Sequence, residues 1–180
     1  MKRILFLITI LLSAFSTAIC QSLEFNFGTR NYGWYAQNNC SLEQNDRYLK
    51  INILGDDPYF MSPGNLKVEA SKYKKIKIKL LNQTSHVLDI FWTSNDYPYI
   101  RPEARQRCLL GSDSCYENNS GFLIKGFIEY TIDLTENKEW KGLIYQLRID
   151  PGDGPDPDNI NNGKIQKEEY MLIEYLKFSI

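Results

Sequence analysis

Three runs near the C-terminus set the tightest limit on what this chain can become: EYTIDL (129–134), EWKGLIYQLRIDPGDG (139–154) and EEYMLIEYLKFSI (168–180). Each alternates apolar and polar residues or is apolar throughout, and each is bounded by turn-forming residues. Trp140-Lys141-Gly142 separates the first two, and a stretch dense in Asp, Gly and Pro (Pro151 to Gly163) precedes the third. Period-two alternation puts successive side chains on opposite faces of a strand. An order of strand, turn and strand, with no intervening helical period, argues against nucleotide-binding α/β folds and helical enzymes.

The same pattern recurs upstream. Lys74 to Leu81 alternates most regularly, with Ile76, Ile78 and Leu80 on one face and Lys75, Lys77 and Lys79 on the other. Such alternation belongs to an antiparallel sheet with one wet face. Residues 22–27 and Tyr48 to Leu54 repeat it, and so does Phe127 to Leu134. Val87 to Thr93 is apolar on both faces, as a central strand is. Turn chemistry lies between them, at Gly55-Asp56-Asp57-Pro58, Ser62-Pro63-Gly64 and Asn95 to Pro98. Abundant Tyr (12) and Phe (9) favour strands over helices. The expectation is an all-β protein, a two-sheet antiparallel β-sandwich of jelly-roll type. Tyr97 to Gly121 carries no period and reads as a long loop, a kind of segment that is commonly functional.

Residues 1–20 read as an export signal. Lys2 and Arg3 are its basic start, Ile4 to Leu12 its apolar stretch, and Ala18 and Cys20 satisfy the small-residue rule for cleavage. The apolar run is shorter than the roughly 20 residues a membrane-spanning helix needs. A second reading makes Cys20 a lipidated cysteine, anchoring the chain at the cell surface. Cleavage leaves residues 21–180 as a single domain in a secreted, periplasmic or cell-surface location. The net charge of −1 gives no electrostatic pull towards nucleic acid or an anionic membrane.

Cys108 and Cys115 flank the segment LLGSDS, and an oxidising compartment favours a bridge between them. The alternative leaves them, with Cys40, as thiols. Zinc is not suggested by this spacing, and His86 is the one histidine.

Several short stretches, taken together and in order, resemble a known family. They are Gly33-Trp34, Asp57-Pro58-Tyr59, Ile90-Phe91-Trp92-Thr93, Tyr130 to Leu134, Trp140-Lys141-Gly142, Leu147 to Pro151 and Ile173 to Leu176. The chain resembles galactose-binding-like β-sandwiches, and within them the carbohydrate-binding modules of secreted polysaccharide-degrading systems. The resemblance implies a non-catalytic protein that binds a glycan by aromatic stacking and a few polar contacts. It also implies a structural Ca2+ between the first and last strands, where Glu24 and Glu174 stand, with Asp46 or backbone carbonyls completing the oxygen donors.

Sugar rings present apolar C–H faces, so exposed aromatic residues are candidate platforms. Tyr59, Phe60, Trp92, Tyr97 and Tyr99 qualify, whereas Trp34 and Trp140 are expected to plug the ends of the sandwich. Arg148 can give paired hydrogen bonds to hydroxyls or a uronate carboxylate, with Asp57 and Asp89 as acceptors. Equally, Arg148 can form a structural pair with Asp150. The ligand set is thus Asp57, Tyr59, Trp92 and Arg148. The aspartates of 150–158 lack the spacing of a calcium-binding EF-hand loop and read as a solvated turn. No nucleophile elbow is present, and no catalytic residue is assigned. The competing reading is a cell-envelope protein that docks another protein through the 97–121 segment.

Overall fold

The structure is a computed structural model that describes residues 23–84, 87–110, 115–117, 126–152, 160–161, 164–165 and 168–180. Its first five strands are β1 (Glu24–Asn26), β2 (Tyr35–Asn38), β3 (Cys40–Gln44), β4 (Leu49–Ile53) and β5 (Tyr59–Met61). Then come β6 (Val68–Glu69), β7 (Lys75–Asn82), β8 (Val87–Ser94), β9 (Arg105–Leu109) and β10 (Cys115–Glu117). The last five are β11 (Ile128–Asp133), β12 (Leu143–Asp150), β13 (Ile160–Asn161), β14 (Lys164–Ile165) and β15 (Tyr170–Ser179). No helix occurs among the described residues, and none there is long and apolar enough to cross a membrane.

Two antiparallel sheets pack face to face. The first runs β10-β11-β7-β15-β4-β3, with β1 added to β15; the second runs β2-β5-β12-β8-β9, with β6 added to β12. β13 and β14 pair only with each other. The expected sandwich is therefore present. β15 organises the first sheet. One of its edges pairs with β7 along nearly its whole length; the other pairs with β4 through Tyr170–Ile173 and then with β1 through Tyr175–Lys177. A register shift between Ile173 and Tyr175 makes Glu174 the extra residue at that changeover.

The alternation in sequence becomes the core directly. Ile76, Ile78 and Leu80 of β7 meet Leu88 and Ile90 of β8 and Leu147 and Ile149 of β12 in one fully buried cluster. Fully burying each such side chain contributes about 1.5–3 kcal/mol. Two tryptophans span the sheets. Trp140 makes ring contacts with Phe178 of the first sheet and Trp92 of the second, and its Nε1 donates to the Tyr73 carbonyl at 2.7 Å. Trp34 lies between Phe25 and Phe27 on one side and Phe60 on the other. Both fill the positions expected of them.

The long segment after Tyr97 departs from expectation. It contains β9, which pairs with β8, and β10, which pairs with β11, at the matching edges of the two sheets. Only Cys108 of β9 is an inward apolar residue. Arg105 and Arg107 face out, so the strand carries no apolar period. No disulfide occurs among the described residues, and the Cys115 side chain lies outside them, as do residues 1–22, His86 and Asp153, Asp156 and Asp158.

Candidate functional site

Strand pairing places one row of side chains straight across the outer face of the second sheet. Tyr35 of β2 stands opposite Met61 of β5, Met61 opposite Arg148 of β12, Arg148 opposite Phe91 of β8, and Phe91 opposite Arg105 of β9. Their neighbours Phe60, Ile149 and Ile90 are fully buried, so the row itself points away from the core. With strands about 4.8 Å apart, the row is roughly 19 Å long, enough for an extended oligosaccharide.

Arg148 holds the centre. Its guanidinium lies 3.6 Å from the centroid of the Tyr59 ring and 5.0 Å from that of Phe91. Nε and Nη2 donate to the two carboxylate oxygens of Asp150 at 2.7 and 2.6 Å, and Nη2 reaches Asp57 Oδ1 at 3.0 Å. A planar guanidinium can stack and bond edge-on at once, and lysine cannot. The same residue therefore fixes the Tyr59 ring and ties β12 to the turn before β5. Burial pushes the Asp150 carboxyl up to about 6, against the opposing pull of its bonds to Arg148. On the other flank, Asp89 accepts two bonds from Arg107, with Nε at 3.1 Å and Nη2 at 2.7 Å from Oδ2, and Arg105 approaches it at 3.8 Å. Gln146 donates to the Ser62 carbonyl at 2.8 Å and to the Tyr35 hydroxyl at 3.2 Å, which orients Tyr35 over the sheet.

Asp57, Tyr59 and Arg148 are thus brought together as the sequence suggests, and the Arg148–Asp150 pair is present with them. Trp92 is elsewhere. It is 1% exposed, its Nε1 donates to the Glu139 carbonyl at 2.9 Å, and its ring meets Trp140 in the core. Its neighbour Phe91 holds the outward position instead. β8 is apolar on both faces, so its own pattern leaves two solutions. The register decides between them: Trp92 pairs with inward Leu147, and Phe91 with outward Arg148. That pairing was available as a signal once Leu147 was taken as inward. Tyr35, Gln146, Arg105 and Arg107 were not, because their strands lack an apolar period. Phe60 is fully buried, while Tyr97 and Tyr99 are exposed in the turn after β8.

A second feature lies where β15 changes partners. Asn26, Gly28, Thr29, Asp46, Arg47, Phe127 and Glu174 line a hollow of about 340 Å³. A Cβ on Gly28 would stand 3.3 Å from the carbonyl oxygens of Asp46 and Arg47 and from Asn26 Oδ1, so these oxygens converge there. Two carboxylates, an amide oxygen and two carbonyls suit a hard cation in kind. Glu174 also pairs with Lys79 at 2.8 Å. Glu24 does not line the hollow; it lies further along β1, opposite Lys177. No cluster of three or more His, Cys, Asp or Glu side chains occurs among the described residues.

Among solved structures, the chain is similar to CBM86, a low-affinity xylan-binding module from the gut symbiont Roseburia intestinalis. The match has a TM-score of 0.50 and 14% identity, over 87% of this chain and 92% of that one. It is also similar to the ligand-free CBM1 of BiXyn10A, with a TM-score of 0.51 and 12% identity over 88% and 97% of the two chains. The fold is that of the carbohydrate-binding modules. At these identities the likeness extends to the sandwich and not to its binding residues. No protein-family model matches the chain, and no curated protein matches its sequence.

Proposed function

We propose that this protein is an exported, non-catalytic carbohydrate-binding domain that takes a glycan chain across the outer face of its second sheet. The row Tyr35–Met61–Arg148–Phe91–Arg105 carries this reading. Aromatic and guanidinium planes stack against sugar faces, and the polar edges of Gln146 and Asp57 meet hydroxyls. The fold shared with carbohydrate-binding modules supports it. The shallow, open face fits weak binding. Asp89 and Asp150 lie beneath arginine side chains and are held by them, which leaves neither placed to act as acid or base on a glycosidic bond.

Affinity electrophoresis and calorimetry of the mature chain against a panel of soluble plant and bacterial polysaccharides test the reading. Retardation by at least one polysaccharide, lost in Tyr35→Ala, is expected. Absence of binding across the panel by a folded sample would remove it. The exposure of Tyr99 (80%) favours one second reading, in which the turn after β8 docks another envelope protein. Specific capture of a partner that fails with Tyr99→Ser, together with a blank glycan panel, would support that instead.

The hollow at Asn26, Asp46 and Glu174 is proposed as the Ca2+ position, with the cation joining β1, the β3–β4 turn and β15. The proposed Cys108–Cys115 bridge would join the matching edges of the two sheets. It is tested by mass spectrometry of the native chain with and without reductant. Export is tested by the N-terminal sequence of the protein recovered outside the cytoplasm, expected to begin at Gln21.

A further inference from the structure

Charge on the outer face of the second sheet is layered. Its carboxylates at β8 and β12 lie low, with the side chains of Asp89 and Asp150 exposed by only 6% and 10%. The guanidinium groups of the edge strand stand above them, with Arg105 at 38% and Arg107 at 46%. Asp89 accepts from Arg107 and lies near Arg105, so a single buried negative charge supports two cations that reach solvent. The most exposed carboxylate of the face, Asp57, is at the opposite end beside Tyr59. The face therefore has an aromatic end at β2 and β5 and a cationic end at β9.

From this polarity we infer that the ligand is an anionic polysaccharide, one whose sugars carry a carboxylate or a sulfate ester, with Arg105 and Arg107 selecting for the charged substituent. The inference rests on the proposed glycan-binding reading and narrows its substrate class. Neutral hydroxyls need single donors and acceptors. Two forked guanidinium groups on adjacent outward positions of one strand match a bidentate anion, and holding them over a buried carboxylate fixes their direction in advance. Such a contact strengthens as salt is lowered, whereas ring stacking does not.

The experiment compares one uronic-acid-bearing xylan with the same polymer after reduction of its carboxyl groups, alongside a sulfated galactan and its desulfated form. The unmodified protein is expected to bind an anionic form about tenfold more tightly than its neutral counterpart, with the preference shrinking at high salt. Whether the uronate or the sulfate pair shows the difference identifies the anion. Arg105→Gln is expected to bring the ratio close to one. The double variant Asp89→Asn/Arg107→Gln should also lower it, and it removes both partners of a buried pair together, so it leaves no stranded charge. Equal binding of charged and neutral forms would overturn the anionic assignment while leaving glycan binding in place. A preference that survives in both folded variants would overturn the role of the β9 arginines. No binding to any of the four polymers or to the wider panel would remove both readings.

Discussion

Arg148 is held on three sides, by the Tyr59 ring, by Asp150 and by Asp57, and that arrangement decides what its removal would report. Arg148→Ala would leave the Asp150 carboxylate buried without its cation, and breaking a buried pair in this way costs about 3–5 kcal/mol. The variant is expected to lose binding and stability together, as followed by chemical denaturation beside a binding assay. Tyr35→Ala is the cleaner probe, because its ring is partly exposed and its loss should change stability by less than about 1 kcal/mol. Trp92→Ala cannot test the site at all. It empties a position in the core and should cost about 3–5 kcal/mol. Asp150 gives a pH signature. Its carboxyl rises from 3.8 to about 6 on folding, so the folded state binds the extra proton between those values. The contribution of Asp150 to stability is therefore greatest below about pH 4, falls as the pH rises to about 6, and is level above that. The whole change is on the order of 2–3 kcal/mol. The difference between denaturation profiles of the parent and Asp150→Asn should show this slope; a flat difference over that window would mean the carboxyl is not raised.

The strands differ in how openly they announce themselves, and the reason is which neighbours make them strands. β7 has a complete inward set and a complete outward set of side chains, so its face is legible from eight residues of sequence. β2 (YAQN) and β9 (RQRCL) are edge strands of the second sheet, and their structure comes from backbone pairing with β5 and β8 rather than from any apolar stripe. They also carry Tyr35, Arg105 and Arg107, so the two ends of the candidate site were hidden for the same reason the strands were. Its centre was visible because Arg148 interrupts the apolar pattern of β12. Trp92 was misplaced because β8 is apolar on both faces and only its partner's register breaks the tie. Turns can be tested at the same scale. Gly142 leads into β12 at φ 71°, and a Cβ there would collide with Asn95 Oδ1, which accepts from the Leu143 amide at 2.7 Å. Gly142→Ala is expected to cost about 1–3 kcal/mol, from backbone strain and the displaced amide. Thermal unfolding measures it. An unchanged midpoint would mean that the turn relaxes freely around the new methyl.

For the sandwich as a whole, the first and last strands of the described chain meet only at β15, where the edge passes from β4 to β1 at the Glu174 bulge. The three residues of β1 hold the N-terminal part of the domain with a short ladder, yet Phe25 and Phe27 behind them cover Trp34 in the core. A cation in the hollow of Asn26, Asp46 and Glu174 would bind the folded arrangement alone, since the unfolded chain does not bring these oxygens together. Ligand at a hundredfold excess over its dissociation constant stabilises by about 2.7 kcal/mol, which in a domain of this size raises the melting temperature by about 5–10 °C. Ca2+ is therefore expected to raise the melting temperature of the parent over a chelator-treated sample, and Asp46→Asn and Glu174→Gln to abolish the increase. Glu24→Gln, outside the hollow, should leave it. The Lys79–Glu174 pair opposes the cation, so Lys79→Gln should enlarge the increase by freeing Glu174. Identical melting with Ca2+ and with chelator would show that this pair and the β1 ladder close the sandwich by themselves.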